Sequence, residues 1–98
     1  MTTHTLRITN IAGQDLNDLY TKGFTNWGEA QADRYYDGLL TMFERICEHP
    51  LMYPAVDGIR DGYRRAVYRK HSIYYVVDNK AVEIRAVVKY QDVAGRAE

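Results

Sequence analysis

Residues 62–88, GYRRAVYRKHSIYYVVDNKAVEIRAVV, decide the fold of this 98-residue chain. Apolar and polar side chains alternate from Gly62 to Arg69 and again from Ala81 to Val88, a period that is typical of half-buried strands. Tyrosines and β-branched residues fill His71 to Val77, and Asp78-Asn79-Lys80 has the composition of a tight turn. The stretch therefore predicts three consecutive antiparallel strands.

The residues upstream follow a helical period instead. Apolar side chains recur every three or four positions from Ala12 to Tyr20 and from Ala32 to Cys47, which indicates two amphipathic helices. We expect Asn10 to cap the first helix and Gly23 to end it. Thr25-Asn26 should begin the second helix, so the two helices form a hairpin.

Three further features complete the predicted order β-α-α-β-β-β. Thr5 to Thr9 alternates as a first strand, and His49-Pro50 should end the second helix. Gly38 inside that helix costs about 1 kcal/mol relative to alanine, so we expect another element to approach it closely.

The pattern predicts one α+β domain over residues 1–98: a helical hairpin packs on one face of a small antiparallel sheet, with the first strand at its edge. Residues 89–98 are polar and are expected to form a flexible tail.

The charge of the chain is balanced overall but not along its length. It has 13 basic and 13 acidic side chains. Residues 1–58 hold four basic and eight acidic side chains, whereas residues 59–98 hold nine basic and five acidic ones. This division predicts a directional electrostatic surface.

Composition places the chain in a reducing compartment. A single cysteine, Cys47, excludes an internal disulfide bond,. The apolar runs are too short to span a bilayer, and the first residues lack the features of a secretory signal. We therefore expect a cytoplasmic protein.

The histidines and the cysteine do not suggest a metal or nucleophilic site. His4, His49 and His71 share no ligand spacing with one another or with Cys47, and no glycine-rich phosphate loop follows a strand. Cys47 falls on the apolar stripe of the second helix, which favours a packed thiol. We expect no metal and no cofactor.

Basic side chains interleaved with tyrosines are the feature of the sequence that indicates a binding site. The guanidinium fork fits phosphate or carboxylate groups, and tyrosine adds a stacking surface. Arg65 and Arg69 are expected to share one face of a strand, with Arg64 and Lys70 on the other. Such a set could bind a nucleic-acid backbone or the carboxylates of an acidic partner.

At these residues the chain resembles the ParE branch of the RelE/ParE toxin superfamily. The matching strand features are Ile-Arg-x-Gly-Tyr-Arg (residues 59–64), His-x-Ile-Tyr-Tyr (71–75), Val-Glu-Ile (82–84) and Gln91-Asp92. The helical hairpin is similar at Asp15-Leu16, Trp27-Gly28, Gln31-Ala32 and Tyr35. The resemblance covers roughly residues 5–92.

The resemblance implies the toxin of a type II toxin–antitoxin pair. ParE-like members are understood to poison DNA gyrase without catalysis, and a small antitoxin wraps such toxins with a helix and an extended segment. We therefore expect a gyrase-directed toxin in a hetero-oligomer with a ParD-like antitoxin, with DNA contacted only through the antitoxin and no membrane partner. The residues expected to bind the antitoxin are Arg60, Arg64, Arg65, Arg69, Leu19, Tyr20 and Phe43, of which the last three could equally be core residues. The residues expected to bind the target are Arg85, Lys89, Tyr90, Gln91 and Asp92.

Two alternatives stay open. The first is a RelE-like ribosome-dependent mRNA endonuclease, in which arginines stabilise the scissile phosphate and a histidine or tyrosine transfers the proton. The catalytic residues of such an endonuclease would be Arg64, Arg65, Arg85, His71 and Tyr90. The overall neutral charge counts against ribosome binding. The second is a detoxified relative that only binds its antitoxin.

One departure from the family pattern concerns the last strand. Such toxins commonly place an arginine two residues after the isoleucine of Val-Glu-Ile, whereas here Arg85 follows Ile84 directly and Ala86 comes next. A shift of one residue exchanges the faces of a strand. We therefore expect the Arg85 side chain on the opposite sheet face.

Overall fold

A computed structural model describes residues 3–89 and has the predicted element order. The elements are β1 (Thr5–Ile8), α1 (Asn10–Trp27), α2 (Glu29–Glu48), β2 (Arg64–Tyr68), β3 (His71–Asp78) and β4 (Ala81–Lys89). The strands form one sheet in the order β1-β4-β3-β2. The predicted α+β class and the edge position of the first strand are confirmed. The sheet is mixed rather than purely antiparallel, because β1 pairs parallel to β4.

The core lies between the helical hairpin and one face of the sheet. Its largest fully buried side chains come from α2 and the two central strands: Leu39, Phe43, Ile46, Ile73, Tyr75, Val82 and Ile84. Cys47 is buried in the same cluster, as predicted for a packed thiol. Burial raises the pKa of this thiol, with a smaller contribution from the carboxylates of Glu44 and Glu48,. No helix in the described part of the chain is long and apolar enough to cross a membrane.

Three predicted boundaries of the helical hairpin are wrong: the cap of α1, the end of α1 and the start of α2. Thr9, not Asn10, caps α1, because its hydroxyl oxygen accepts from the Ala12 amide at 3.1 Å. Helix α1 continues through Gly23 and ends at Gly28, where φ is +93°. This backbone conformation suits glycine, because a side chain there would be strained. Helix α2 consequently begins at Glu29, not at Thr25-Asn26.

Two other predictions for α2 are confirmed. The helix ends at His49-Pro50, with His49 as its C-cap. A Cβ at Gly38 would overlap the Tyr68 hydroxyl, so β2 does approach the helix closely at this glycine.

The turns of the sheet are partly as predicted. Asn79 has φ +55° between β3 and β4, as expected for a tight turn,. Strand β2 ends at Tyr68, so Arg69 and Lys70 form the β2–β3 turn. The expectation that these two residues share strand faces with Arg65 and Arg64 is therefore wrong. Lys89 belongs to β4 and not to the predicted tail.

Candidate functional site

Strand β2 divides its two arginines between the faces of the sheet. Arg64, Ala66 and Tyr68 face the helices, since Ala66 is buried in the core and Tyr68 packs against it. The Arg64 Nη1 donates to the Tyr53 carbonyl oxygen at 2.7 Å, which ties the preceding loop to the strand. Arg65 projects from the other side, opposite Tyr74 in the register. We call that side the open face; its polar members include Arg7, Tyr63, Arg65, Tyr74, Glu83 and Arg85, since Arg7 is opposite Glu83 in the register of β1 and β4.

A β-bulge places Arg85 on the open face. Tyr74 pairs with Ala86 and Tyr75 pairs with Ile84, so Arg85 is the extra residue of β4,. Its Nε lies 2.6 Å from Glu83 Oε1, and its guanidinium lies 5.9 Å from the centre of the Tyr63 ring. The Glu83 contact is an ion pair without hydrogen-bond geometry.

The bulge also overturns an expectation from the sequence. Two successive residues, Arg85 and Ala86, project from the same face, and the buried Val87 restores the alternation. Arg85 therefore shares the face of position 86, where the family commonly has its arginine. The expected move of this side chain to the opposite sheet face is wrong.

His71 lies on the helix side, in contact with α2. Its Nδ1 is 2.7 Å from the Tyr35 hydroxyl, and that hydroxyl is 3.3 Å from the Tyr68 carbonyl oxygen. The Tyr35 ring meets the rings of Tyr68 and His71 edge to face, with centres 5.1 and 5.5 Å away. Burial raises the pKa of Tyr35 above its ordinary value,.

A groove of about 750 Å³ lies beside this aromatic cluster. The end of α1, the first turns of α2, the β2–β3 turn and the last residue of β4 line it; we call it the hairpin groove. Its basic side chains are Lys22, Arg34, Arg69, Lys70 and Lys89. Its aromatic side chains are Trp27, Tyr35, Tyr68 and His71. Among residues 3–89, none that lines the groove is acidic.

The residues predicted to bind an antitoxin are widely separated. Phe43 is fully buried and is therefore a core residue. Leu19 is partly buried at the hairpin groove, and the Tyr20 hydroxyl donates to Asp33 at 2.6 Å on the hairpin surface. Arg60 is exposed in the loop before β2. Arg64 and Arg65 lie on opposite faces of β2, and Arg69 lies at the groove.

The residues predicted to bind the target also separate. Arg85 is on the open face, whereas Lys89 lines the hairpin groove. Tyr90, Gln91 and Asp92 lie outside the described residues. Within residues 3–89, no three histidine, cysteine, aspartate or glutamate side chains come close enough to hold a metal ion.

Sequence reasoning missed three contributors to the groove: Lys22, Trp27 and Arg34. The only signal was their position near the hairpin tip, where Trp27-Gly28 also carries the family resemblance. Their convergence with the β2–β3 turn depends on how the hairpin lies across the sheet, which the spacing of the residues does not reveal.

Comparison with known proteins identifies the family. The family model described as the ParE toxin of the parDE type II toxin–antitoxin system matches residues 6–92. Toxin ParE1 of Caulobacter vibrioides is 35% identical over 91 residues, which are 93% of each chain. Toxin ParE1 of Mycobacterium tuberculosis is 31% identical over 62 residues, or 63% of each chain.

Solved structures show the same fold. The chromosomal ParDE system of P. aeruginosa matches with a TM-score of 0.78 at 16% identity, over 89% of this chain and 96% of that one. The RelBE2 toxin–antitoxin complex of Mycobacterium tuberculosis matches with a TM-score of 0.69 at 21% identity, over 91% of this chain and 93% of that one. On the strength of the sequence matches, this chain belongs to the ParE family of toxins of type II toxin–antitoxin systems.

Proposed function

We propose that this toxin is not an enzyme and that it arrests growth by binding DNA gyrase and stabilising its cleaved-DNA state. The observation that supports this reading is the separation of the residues that an RNA-cleaving site would need. Arg65 and Arg85 lie on the open face, whereas His71 faces α2. The backbone layer of the sheet stands between them.

Cleavage at a ribose 2′-hydroxyl requires a different arrangement. The base must lie within hydrogen-bond reach of that hydroxyl while the cations contact the adjacent phosphate. His71 Nδ1 is bonded to Tyr35, and the Arg64 Nη1 is bonded to a loop carbonyl. Membership of the ParE family and this lack of convergence together favour a toxin that acts by binding.

A ParD-like antitoxin is the proposed partner, in a complex in which the toxin is inactive. The P. aeruginosa ParDE system, the Mycobacterium tuberculosis RelBE2 complex and the E. coli DinJ–YafQ complex all combine such a toxin with an antitoxin. Strand β2 is one of the two edges of the sheet, and the loop before it covers only its beginning, through a bridge between Ala55 and Arg64. The remainder of β2 offers backbone groups to an extended segment, and exposed Arg60 and Arg69 suit acidic side chains.

The test is a gyrase supercoiling and cleavage assay with the antitoxin-free protein. We expect linear DNA to accumulate only when gyrase and ATP are present, and a ParD-like antitoxin to suppress it. Arg85→Gln should weaken this effect because the open face loses its target-facing arginine. Arg45→Gln removes an equal charge from the exposed surface of α2, on the other side of the sheet, and serves as the matched control.

Two results would contradict the proposal. Unchanged supercoiling, with protein shown to be folded by circular dichroism, would remove gyrase as the target. Ribosome-dependent cleavage of mRNA by the same preparation would establish the RelE-like alternative.

A further inference from the structure

We propose that the hairpin groove binds the sugar-phosphate backbone of a nucleic-acid single strand, with Trp27 as the surface on which a base stacks. This inference goes beyond the gyrase-directed function and does not depend on it. It concerns the helix side of the molecule, whereas the proposed target-facing Arg85 lies on the open face.

The first support is the local concentration of positive charge. Five basic side chains come from four different elements to line one groove, in a chain with no net charge. Residues 1–58 have only four basic side chains, and two of these, Lys22 and Arg34, lie here. All five are exposed, which leaves their charged groups available to phosphates.

The second support is the aromatic surface beside these charges. Trp27 is 66% exposed at the hairpin tip. An exposed indole next to cations is what non-specific single-strand binding uses, because every base has a face that stacks. The guanidinium of Arg69 is held across the Tyr68 ring, 5.6 Å from its centre, and its Nε is 3.3 Å from the tyrosine hydroxyl.

The composition of the groove favours nucleic acid over an acidic peptide. A docked peptide helix needs apolar pockets for anchors at helical spacing. The aliphatic side chains that line the groove among residues 3–89 are Leu19 and Ala32, and both are largely covered. Flat aromatic rings and cations remain as the contact surface.

Trp27 is the sole tryptophan of the chain, so its fluorescence reports directly on the groove. The full-length protein would be titrated with dT12, U12, a 12-base-pair DNA duplex and a peptide of twelve glutamates. We expect both single strands to quench the emission. If all five cations contact phosphates, affinity should fall on the order of 100-fold between 50 and 200 mM salt. The ratio of dT12 to U12 affinities distinguishes a DNA strand from an RNA strand.

Matched variants distinguish binding in the hairpin groove from non-specific attraction to positive charge elsewhere on the surface. Lys22→Gln combined with Lys70→Gln should weaken strand binding roughly tenfold and lower the salt dependence. Arg7→Gln combined with Lys80→Gln removes the same charge from exposed positions outside the groove, and should change affinity less than about twofold. Circular dichroism would establish that both double variants are folded.

Three outcomes would overturn the inference. One is Trp27 emission that neither dT12 nor U12 changes. Another is an equal loss of affinity in the two double variants, which would show attraction to charge anywhere on the surface. The third is tighter binding of the glutamate peptide than of the strands, which would make an acidic peptide the occupant.

Discussion

The ring of Tyr68 lies directly against the backbone of Gly38, so that strand β2 and helix α2 touch without a side chain from the helix between them. The Tyr68 ring is also packed against Tyr35, with centres 5.1 Å apart. The contact fixes the distance between α2 and the β2–β3 turn, which are two walls of the hairpin groove.

Gly38→Ala should destabilise the protein. The new methyl group overlaps the Tyr68 hydroxyl, and the packed ring has to shift, at about 1–3 kcal/mol,. Gly13→Ala is the control, because a Cβ there meets nothing within 4 Å and should add up to about 1 kcal/mol of helix stability,. Thermal denaturation measures both, and because alanine gains a similar helix propensity at either position, a Gly38→Ala variant with a Tm equal to or above that of Gly13→Ala would contradict the close contact.

Gly28→Ala should also destabilise the protein, but through the backbone. With φ +93° and ψ 166°, Gly28 occupies a region that is essentially restricted to glycine, and an alanine there costs about 1–3 kcal/mol,. Gly58→Ala is the comparison, since that glycine has open space around it. Urea denaturation should show a lower midpoint for Gly28→Ala alone; equal midpoints would mean that the hairpin turn tolerates a side chain.

Tyr75→Phe tests a buried hydrogen bond between β3 and the loop after α2. The Tyr75 hydroxyl donates to the Pro50 carbonyl oxygen at 2.5 Å, and losing it should cost about 1–3 kcal/mol at neutral pH because the carbonyl stays buried,. Tyr20→Phe removes a hydrogen bond at the surface and should change stability little.

The same tyrosine predicts a pH dependence. Burial raises the pKa of Tyr75 to about 12, above the ordinary value of 10.0. The protonated hydroxyl therefore stabilises the fold fully below pH 10, and this contribution is lost as pH rises from about 10 to 12. Unfolding curves of the wild type and Tyr75→Phe should converge over that range; parallel curves would argue against a buried, protonated Tyr75.

Asp15 should stabilise the end of β4. Strand β1 pairs only as far as Ile84, and beyond it Asp15 Oδ2 accepts from the Val87 amide at 3.0 Å. Asp15→Ala leaves that amide without its acceptor and should cost about 1–3 kcal/mol, whereas Asp15→Asn keeps an acceptor oxygen and should cost less. Hydrogen exchange of the Val87 amide is the direct measurement, and equal protection in the three proteins would refute the role.

The pattern of the sequence was sufficient for the strands and for the element order. Alternation identified β2 and β4, the tyrosines and β-branched residues identified β3, and Asn79 identified the turn between the last two strands. The end of α1 was misplaced because Gly23 and Gly28 look alike in sequence, and only the tertiary fold determines which of them adopts positive φ. The parallel pairing of β1 was missed because period two does not encode strand direction.

The candidate site was harder to predict than the fold. The sequence prediction assigned side chains to sheet faces on the assumption that the strands are regular. The bulge at Arg85 and the turn at Arg69 interrupt that regularity, so both side chains were assigned to the wrong position,. The hairpin groove combines residues from α1, α2, the β2–β3 turn and β4. Such a set becomes visible only when the crossing of the hairpin over the sheet is known.

The pairing of the first strand with the last has a consequence for synthesis of the toxin. Thr5 pairs with Ala81 and Ile8 with Ile84, so the partners are 76 positions apart. Contacts between such distant residues form late in folding, since the intervening loop must close first. A nascent chain on the ribosome cannot complete this sheet until β4 has emerged from the exit tunnel. A translation product interrupted before Ala81 would leave β1 without its strand partner in the described fold, so interrupted synthesis should yield inert fragments instead of toxin.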